Sequence, residues 1–426
     1  MAAAYRLKQR GFVPTVFESR DRVGGRMWSI RKGDFLMDVG MSAYLGTYRQ
    51  AIELIGEVGL RSQMSDLPAI GGTMRGDKRF RFDYSKPVST ALKTSLLSWP
   101  SKLRAIRLAL DTFHNRASLG YSDYTKLADI DVETVAEYCA RTLNDELRHY
   151  AAQPLVSGTW VADDADTSVA LLFWTIRNML APSVYNLNGG VMALPVELAK
   201  HVEVRYSHPV DHVENDGSCV RVSTIGATER FDGCVIATTA EPALAMYPQM
   251  DEITRDLYRT TRYRKLGNIC FGLSRRPNDI VTYYLCAPHE DPDTIAVIAD
   301  HVKAPCRAPE GKGLLTVLLS HEYLERNEHL SDGEVLDYAF DRAKHYFPDI
   351  TRNQVEQTNL VRWPESVPAL NKGRFKRIAN YTAGIDRRAR VQFASDLDRI
   401  PGCNGALVSG QEAAERLSVA LGGKGS

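Results

Sequence analysis

Val13-Pro14-Thr15-Val16-Phe17-Glu18-Ser19-Arg20-Asp21-Arg22-Val23-Gly24-Gly25-Arg26 is the stretch from which the rest of the chain can be read. A short run of β-forming residues ends in an acid, a charged turn follows, and two adjacent glycines precede an arginine. In an α/β unit that binds a dinucleotide, an acid at the end of the second strand accepts hydrogen bonds from an adenosine ribose. Glycines lack a Cβ and let backbone come close to a ligand. A guanidinium beside them can pair with phosphate through two donors. The stretch therefore reads as the adenosine and pyrophosphate corner of a nucleotide site. The plainer reading is a surface turn after a strand.

Toward the N-terminus, residues 2–10 predict a helix: alanine-rich, without a β-branched residue, and closed by Gly11. Helix, strand and terminal acid make the second half of a βαβ unit. The strand and glycine-rich loop expected before that helix are not in the sequence. Such a loop holds the pyrophosphate at the helix N-terminus, where free N–H groups favour anions. Two expectations compete. Either the start of the chain is placed too far downstream, or the chain lacks the loop and binds dinucleotide poorly.

Toward the C-terminus comes Asp38-Val39-Gly40-Met41-Ser42. Taken with Glu18 and Arg22-Val23-Gly24-Gly25-Arg26, it resembles the flavin-dependent amine oxidase superfamily, which includes monoamine oxidases, protoporphyrinogen oxidases and phytoene desaturases. The resemblance implies FAD as cofactor. It places Glu18 on the ribose and Gly24, Gly25 and Arg26 on the pyrophosphate, with Arg22 opening the same motif. It places Gly40, Met41 and Ser42 near the isoalloxazine. A second anchor lies at the far end: Val391-Gln392-Phe393-Ala394-Ser395-Asp396, then Asn404-Gly405-Ala406 leading into a helix. This resembles the family's last flavin motif and adds Asp396, Asn404, Gly405 and Ala406 to the cofactor set. Ser395 departs from the usual glycine, and a side chain there would crowd the pyrophosphate. Val210, at the return to the flavin domain, is implied to meet the adenine through its backbone.

The fold class implied is α/β: a Rossmann-like FAD-binding domain without its first strand and loop, interleaved with an α+β substrate domain. Residues 1–65, 186–262 and 376–426 are assigned to the first, and 66–185 and 263–375 to the second. Within them, 48–60 predicts a helix, and 75–84 alternates basic and aromatic residues as a strand does. A hairpin turns at Asp216-Gly217. A buried parallel strand and turn are expected at 231–239. Residues 88–113 predict two amphipathic helices interrupted at Pro100. They read as packing helices with basic outer faces, the alternative being a membrane-surface pair. Residues 131–150 predict a helix capped by Asp131, with Val132, Val135, Ala136 and Cys139 on one face. Residues 331–347 predict one opened by a Ser331/Glu334 capping box. Residues 362–368 (Arg-Trp-Pro-Glu-Ser-Val-Pro) read as a proline-punctuated loop.

Composition narrows the class. Of the 426 residues 44% are hydrophobic and 25% charged, as in ordinary globular proteins. A net charge of +1 argues against a broad nucleic-acid surface. The seven cysteines are scattered without a C-x-x-C pair, which fits reduced thiols in a cytoplasmic protein. The first residues do not read as a signal peptide, and no apolar run approaches a membrane span. Peripheral membrane contact is left open. No metal-ligand spacing, Ser-His-Asp set or P-loop competes with the flavin reading. His208 and His212 have Pro209 between them and do not share a helical face.

The resemblance also bears on chemistry. Amine oxidases place a lysine beside the flavin on the strand that here runs Lys265 to Phe271, and Phe271 is matched to it. The matched loop near Asn380-Tyr381 has no cysteine for covalent flavin attachment. Both departures favour hydride removal from a large apolar or amphipathic substrate, as in protoporphyrinogen oxidases or carotenoid desaturases, with the flavin doing the chemistry. A flavin amine oxidase and a flavin-free scaffold are the alternatives. Trp160, Phe173 and Trp174 serve equally as substrate contacts or core. No catalytic acid or base is assigned.

Overall fold

Small residues let the two ends of the chain meet. The helix Ala2–Gln9 buries Ala3, Ala4, Tyr5 and Leu7. It packs against Ala414 and Leu417 of the C-terminal helix Cys403–Ala420. Gly410 permits the approach, since a Cβ there would stand 3.3 Å from the Ala3 nitrogen. This computed structural model describes residues 1–68, 70–120, 124–179 and 183–422. Over them the chain is a mixed α/β fold.

Beside these helices lie two short parallel pairs. Thr15–Phe17 runs with Glu203–Arg205, and Cys234–Ile236 with Val391–Phe393. Each is a separate two-stranded sheet. A three-stranded antiparallel meander, Val210–Asn215, Val220–Thr224 and Ala227–Phe231, adjoins them. Its first turn falls at Asp216-Gly217, as expected: Gly217 has φ +88°, and the Asp216 carboxylate accepts from the amides of Ser218 and Cys219.

The remaining strands build a seven-stranded sheet. Its order is Val355–Pro368, Tyr263–Leu273, Gly313–Leu319, Thr294–Ala299, Tyr283–Leu285, Ile70–Arg75, Lys78–Asp83. Neighbours are antiparallel except Tyr283–Leu285 with Ile70–Arg75. Side chains alternate across a strand. Ile269, Phe271 and Leu273 accordingly pack on helix Asp332–Tyr346, through Ala339, Phe340, Ala343 and Tyr346. Cys270 faces the other way, against Phe35, Met37, Val39 and Leu314. That second face looks toward the Asp38–Ser42 segment.

Several expectations give way to tertiary context. The strand expected at 75–84 is present but shorter, Lys78–Asp83, as the second arm of a hairpin that turns at Gly76 (φ +55°). Residues 131–150 do not form one helix. The N-cap is Thr134, in a capping box with Glu137, and the helix Val135–Thr142 stops before Leu143. A π-helical turn, Arg148–Ala152, then leads into Gln153–Trp160. Asp131 is taken elsewhere: its carboxylate accepts from the amides of Gly373 and Phe375, at the start of helix Arg374–Gly384. Val132 is exposed, while Val135 and Cys139 are buried. Residues 362–368 are strand, not loop. Leu266 pairs with Trp363 and Arg264 with Val367, so Pro364, Glu365 and Ser366 bulge opposite Lys265. The strand is an edge strand, and proline is tolerated at edges and bulges because no ladder bond is lost. The strand expected at 231–239 is shorter and only partly buried, with Phe231 belonging to the meander. Pro100 starts the helix Trp99–His114 rather than breaking one; Pro87–Lys93 precedes it.

Candidate functional site

The two N-terminal motifs are strapped together by backbone. The Val39 amide donates to the Trp28 carbonyl and the Met41 amide to the Arg26 carbonyl, both at 3.0 Å. This extends the hairpin of Ser29–Lys32 with Phe35–Asp38. A Cβ on Gly40 would lie 1.9 Å from the Arg26 oxygen, so the strap closes only with glycine. Gly24 has φ +101° and a Cβ would meet the Met27 oxygen at 2.5 Å, so its turn needs glycine as well. Gly25 also has positive φ, +55°, but its Cβ direction is open. The chain's own packing thus demands Gly24 and Gly40, whatever else approaches them.

Arg26 links this strap to the other end of the chain. One guanidinium nitrogen donates to Asp396 Oδ1 and the other to the Ser366 carbonyl, each at 2.7 Å. Burial works against the Arg26 charge, but Asp396, by charge and hydrogen bond, holds its pKa above the ordinary arginine value. The Asp396 carboxylate also accepts from the Gly402 amide at 3.4 Å. Gly402, with φ +113°, precedes Cys403–Ala420, and no side chain caps that helix. The first-turn N–H groups of an uncapped helix favour an anion or an electron-rich ring edge. Asn404 is buried, and its Oδ1 accepts from the Ala51 amide of helix Arg49–Glu57, tying the two helix starts together. Gly405 passes so close to the Ile400 carbonyl that a Cβ would sit 2.3 Å away. The Ala406 amide closes the first turn onto the Gly402 carbonyl. Ser395 is buried, and its hydroxyl accepts from the Leu397 amide in its own turn.

Glu18 stands at the end of Thr15–Phe17, its carboxylate accepting from the Arg20 amide at 2.9 Å. Its negative charge acts on the Met1 ammonium, whose pKa burial lowers. The Glu18 carbonyl accepts from the His208 amide, which brings the segment leading to Val210 alongside. Val210 is half-buried and opens the meander. Arg22 lies 3.9 Å over the Trp28 ring and donates to the Gly25 carbonyl. Burial and the neighbouring Arg20 lower its pKa to about 10, still a cation at neutral pH.

Beneath the Asp38–Ser42 turn lies a feature that sequence reasoning missed. Asp38, Asp300, Lys303 and Arg307 form a quartet of two acids and two bases, each 1% exposed or less at its side chain. Asp38 Oδ2 accepts from Lys303 Nζ at 3.1 Å and from Arg307 Nε at 3.0 Å. Asp38 Oδ1 accepts from Ser29 Oγ and the Val191 amide. Lys303 is also paired with Asp300. Burial opposes the Asp38 charge, but Lys303 and Arg307 hold its carboxyl below the ordinary range. Lys303 is likewise opposed by burial and held cationic by Asp300 and Asp38, its pKa raised. The same ammonium reaches Ser42 Oγ at 3.4 Å, and Ser42 Oγ meets the Tyr283 hydroxyl at 2.9 Å. The only signal in the sequence was the spacing of Asp300 and Lys303 on one short helical turn.

The same geometry corrects the weight placed on Phe271. Its side chain packs edge-on to Phe340 on the far face of the sheet. The residues facing the Asp38–Ser42 turn are Asn268, which donates to the Asp38 carbonyl, and Cys270. The strand offers no lysine to that side; Lys303 arrives there from Asp300–Lys303 instead. Trp160, Phe173 and Trp174 are all buried in the largest core cluster, and Trp160 Nε1 donates to Thr175 Oγ1.

A dinucleotide carrying a fused heteroaromatic ring needs an acceptor for ribose hydroxyls, donors for its diphosphate and polar backbone at its ring. Glu18 is such an acceptor. Arg22, Arg26 and the uncapped turn at Gly402 are such donors, and the Gly40–Ser42 turn is such backbone. The donor set fits the group.

The chain is similar to known proteins over most of its length. A family model described as flavin containing amine oxidoreductase matches residues 1–418. Coproporphyrinogen III oxidase of Bacillus subtilis (strain 168) is 21% identical over 85% of this chain and 82% of its own length. Coproporphyrinogen III oxidase of Staphylococcus aureus (strain NCTC 8325 / PS 47) is 22% identical over 99% and 97%. Among solved structures, a putrescine oxidase double mutant superposes with a TM-score of 0.80 at 16% identity, over 98% of this chain and 96% of that one.

Proposed function

The chain belongs to the flavin containing amine oxidoreductase family, and from that premise we propose that it is an FAD-dependent oxidoreductase acting on a large amphipathic substrate of the porphyrinogen type. The observation that carries this reading is similarity along most of the chain to two proteins named coproporphyrinogen III oxidase. The putrescine oxidase likeness speaks to fold alone.

Bound FAD would accept the hydride, and the protein supplies position and exclusion of water. Glu18 would hold the ribose, with Val210 at the adenine. Arg22, Gly24, Gly25 and Arg26 would hold the diphosphate. Asp396 fixes Arg26 and the Gly402 turn, so that Asn404, Gly405 and Ala406 present the helix N-terminus. Gly40, Met41 and Ser42 would flank the ring. The sequence's division into a discontinuous Rossmann-like cofactor domain and an α+β substrate domain is part of the same proposal. So is a cytoplasmic setting, which the seven free cysteines suit. Lys303 is no proton acceptor in this scheme, because two carboxylates hold its proton. Its ammonium, Ser42 and Tyr283 instead fix the ring-side turn.

Anaerobic reduction separates the substrate classes. The chain, loaded with FAD, is mixed with coproporphyrinogen III or with putrescine while the flavin absorbance is followed. Bleaching by the porphyrinogen and not by the amine is the expected result. Bleaching by putrescine alone would place the chain among the amine oxidases.

A further inference from the structure

The helix Trp99–His114 turns one face inward and another to solvent. Ser101 and Thr112 are buried, with Ala105 and Leu108 partly so, and this side packs on the body of the protein. At 100° per residue, Trp99, Leu103, Ile106, Leu110 and Phe113 fall on the opposite side in a single stripe. Each is 55–66% exposed. Val88 and Leu92, on the neighbouring helix Pro87–Lys93, are 73% and 55% exposed. Lys102 joins the two helices: its Nζ donates to the carbonyls of Leu92 and Thr94, at 2.8 and 2.6 Å. Seven of the fifteen exposed large hydrophobic side chains among the described residues lie in these two helices; the others are scattered through the chain. Scattered single residues need no explanation, but seven gathered on two adjoining helices do.

Charge says what covers it. Residues 86–116 contain six Lys/Arg and one Asp, a net +5 within a chain of net +1. Lys102 lies 4.8 Å over the Trp99 ring at the start of the stripe, and Arg116 lies 4.1 Å over the Phe113 ring at its end. Lys86, Lys93, Arg104 and Arg107 are all exposed. A second copy of the chain would bring one strongly basic face against another. A surface with apolar depth and negative headgroups complements both the stripe and its flanks. No helix among the described residues is long and apolar enough to cross a membrane, so the pair lies on such a surface rather than spanning it.

We infer that helices Pro87–Lys93 and Trp99–His114 dock the protein on an anionic lipid surface, with Trp99, Leu103, Ile106, Leu110 and Phe113 seated among the acyl chains. This inference is independent of the substrate.

Vesicle co-sedimentation of the full chain tests it, with phosphatidylcholine alone and with phosphatidylcholine mixed with phosphatidylglycerol. Binding to the mixed vesicles is expected, weakening as salt is raised. Leu103→Glu with Ile106→Glu is expected to weaken it by about tenfold or more, and Lys93→Gln with Arg107→Gln, which leave the segment at a net +3, to reduce the preference for the anionic lipid. These side chains are exposed, and circular dichroism checks that the variants fold. The wild-type comparison between the two lipids stands without any variant. Failure of the wild type to sediment with mixed vesicles overturns the inference. So does a concentration-dependent dimer that the Leu103→Glu, Ile106→Glu variant abolishes.

Discussion

Asp38→Asn is expected to destabilise the chain by about 3–5 kcal/mol, the range seen when one partner of a buried ion pair is removed. Asparagine keeps the size of the side chain and can still accept from Ser29 and the Val191 amide. What it loses is charge. Lys303 and Arg307 would then face Asp300 alone, leaving a net positive charge where side chains are 1% exposed or less. Urea unfolding followed by circular dichroism would show a lower midpoint with an unchanged slope. Combining Asp38→Asn with Lys303→Met rebalances the charge and is expected to recover part of the loss, which is the coupling a double-mutant cycle reads. The pH dependence has a definite sign. Because Lys303 and Arg307 hold the folded Asp38 carboxyl below its ordinary value, its contribution is present above the unfolded pKa, about 4. It is lost as pH falls through the lower folded value. The gap between wild type and Asp38→Asn should therefore shrink only below about pH 4. A difference under about 1 kcal/mol at neutral pH would mean that the quartet is solvated and not locked.

Gly40→Ala is the second large expected effect. The added methyl would sit 1.9 Å from the Arg26 carbonyl oxygen, well inside any permitted contact. Neither side can yield cheaply, because both partners are backbone in the strap between Arg26–Trp28 and Val39–Met41. The strap must open, at a cost at or above the ~1–3 kcal/mol typical of overpacking. Opening it also moves Arg26 away from Asp396, the contact that joins the two ends of the proposed cofactor set. Gly40→Ala should therefore lower both the unfolding midpoint and the retention of FAD. Gly56→Ala is the matched control. Gly56 lies in helix Arg49–Glu57 with open space in its Cβ direction, and the change should be neutral or stabilising by up to about 1 kcal/mol. A Gly40→Ala protein as stable and as yellow as the wild type would contradict the account of the strap.

Motifs that act locally were legible in the sequence. The Ser331/Glu334 capping box and the Asp216-Gly217 turn stand where capping and turn chemistry put them, and the helix that the family resemblance implied at Asn404-Gly405-Ala406 is present as Cys403–Ala420. Errors arose where a distant partner outbid a local preference. Asp131 precedes a helix and looks like its cap, but Gly373 and Phe375 claim its carboxylate from the other half of the chain. Pro364 looks like a loop residue, yet an edge position with a bulge opposite Lys265 accommodates it. Phe271 was matched by position along a strand, where an error of one residue sends a side chain to the opposite face. Of the quartet only the Asp300–Lys303 spacing was legible. Asp38 and Lys303 are 265 residues apart, and a lysine read from sequence alone is expected at the surface.

The claim on which the rest depends is that Glu18, Arg22, Arg26, Asp396 and the Gly402–Ala406 turn hold one flavin. The most direct test is the visible spectrum of the purified chain after incubation with FAD and desalting. Retained flavin bands, with the fine structure of a ring shielded from water, are the predicted result. A colourless protein, with all the FAD recovered in the small-molecule fraction, would contradict it and favour a flavin-free scaffold.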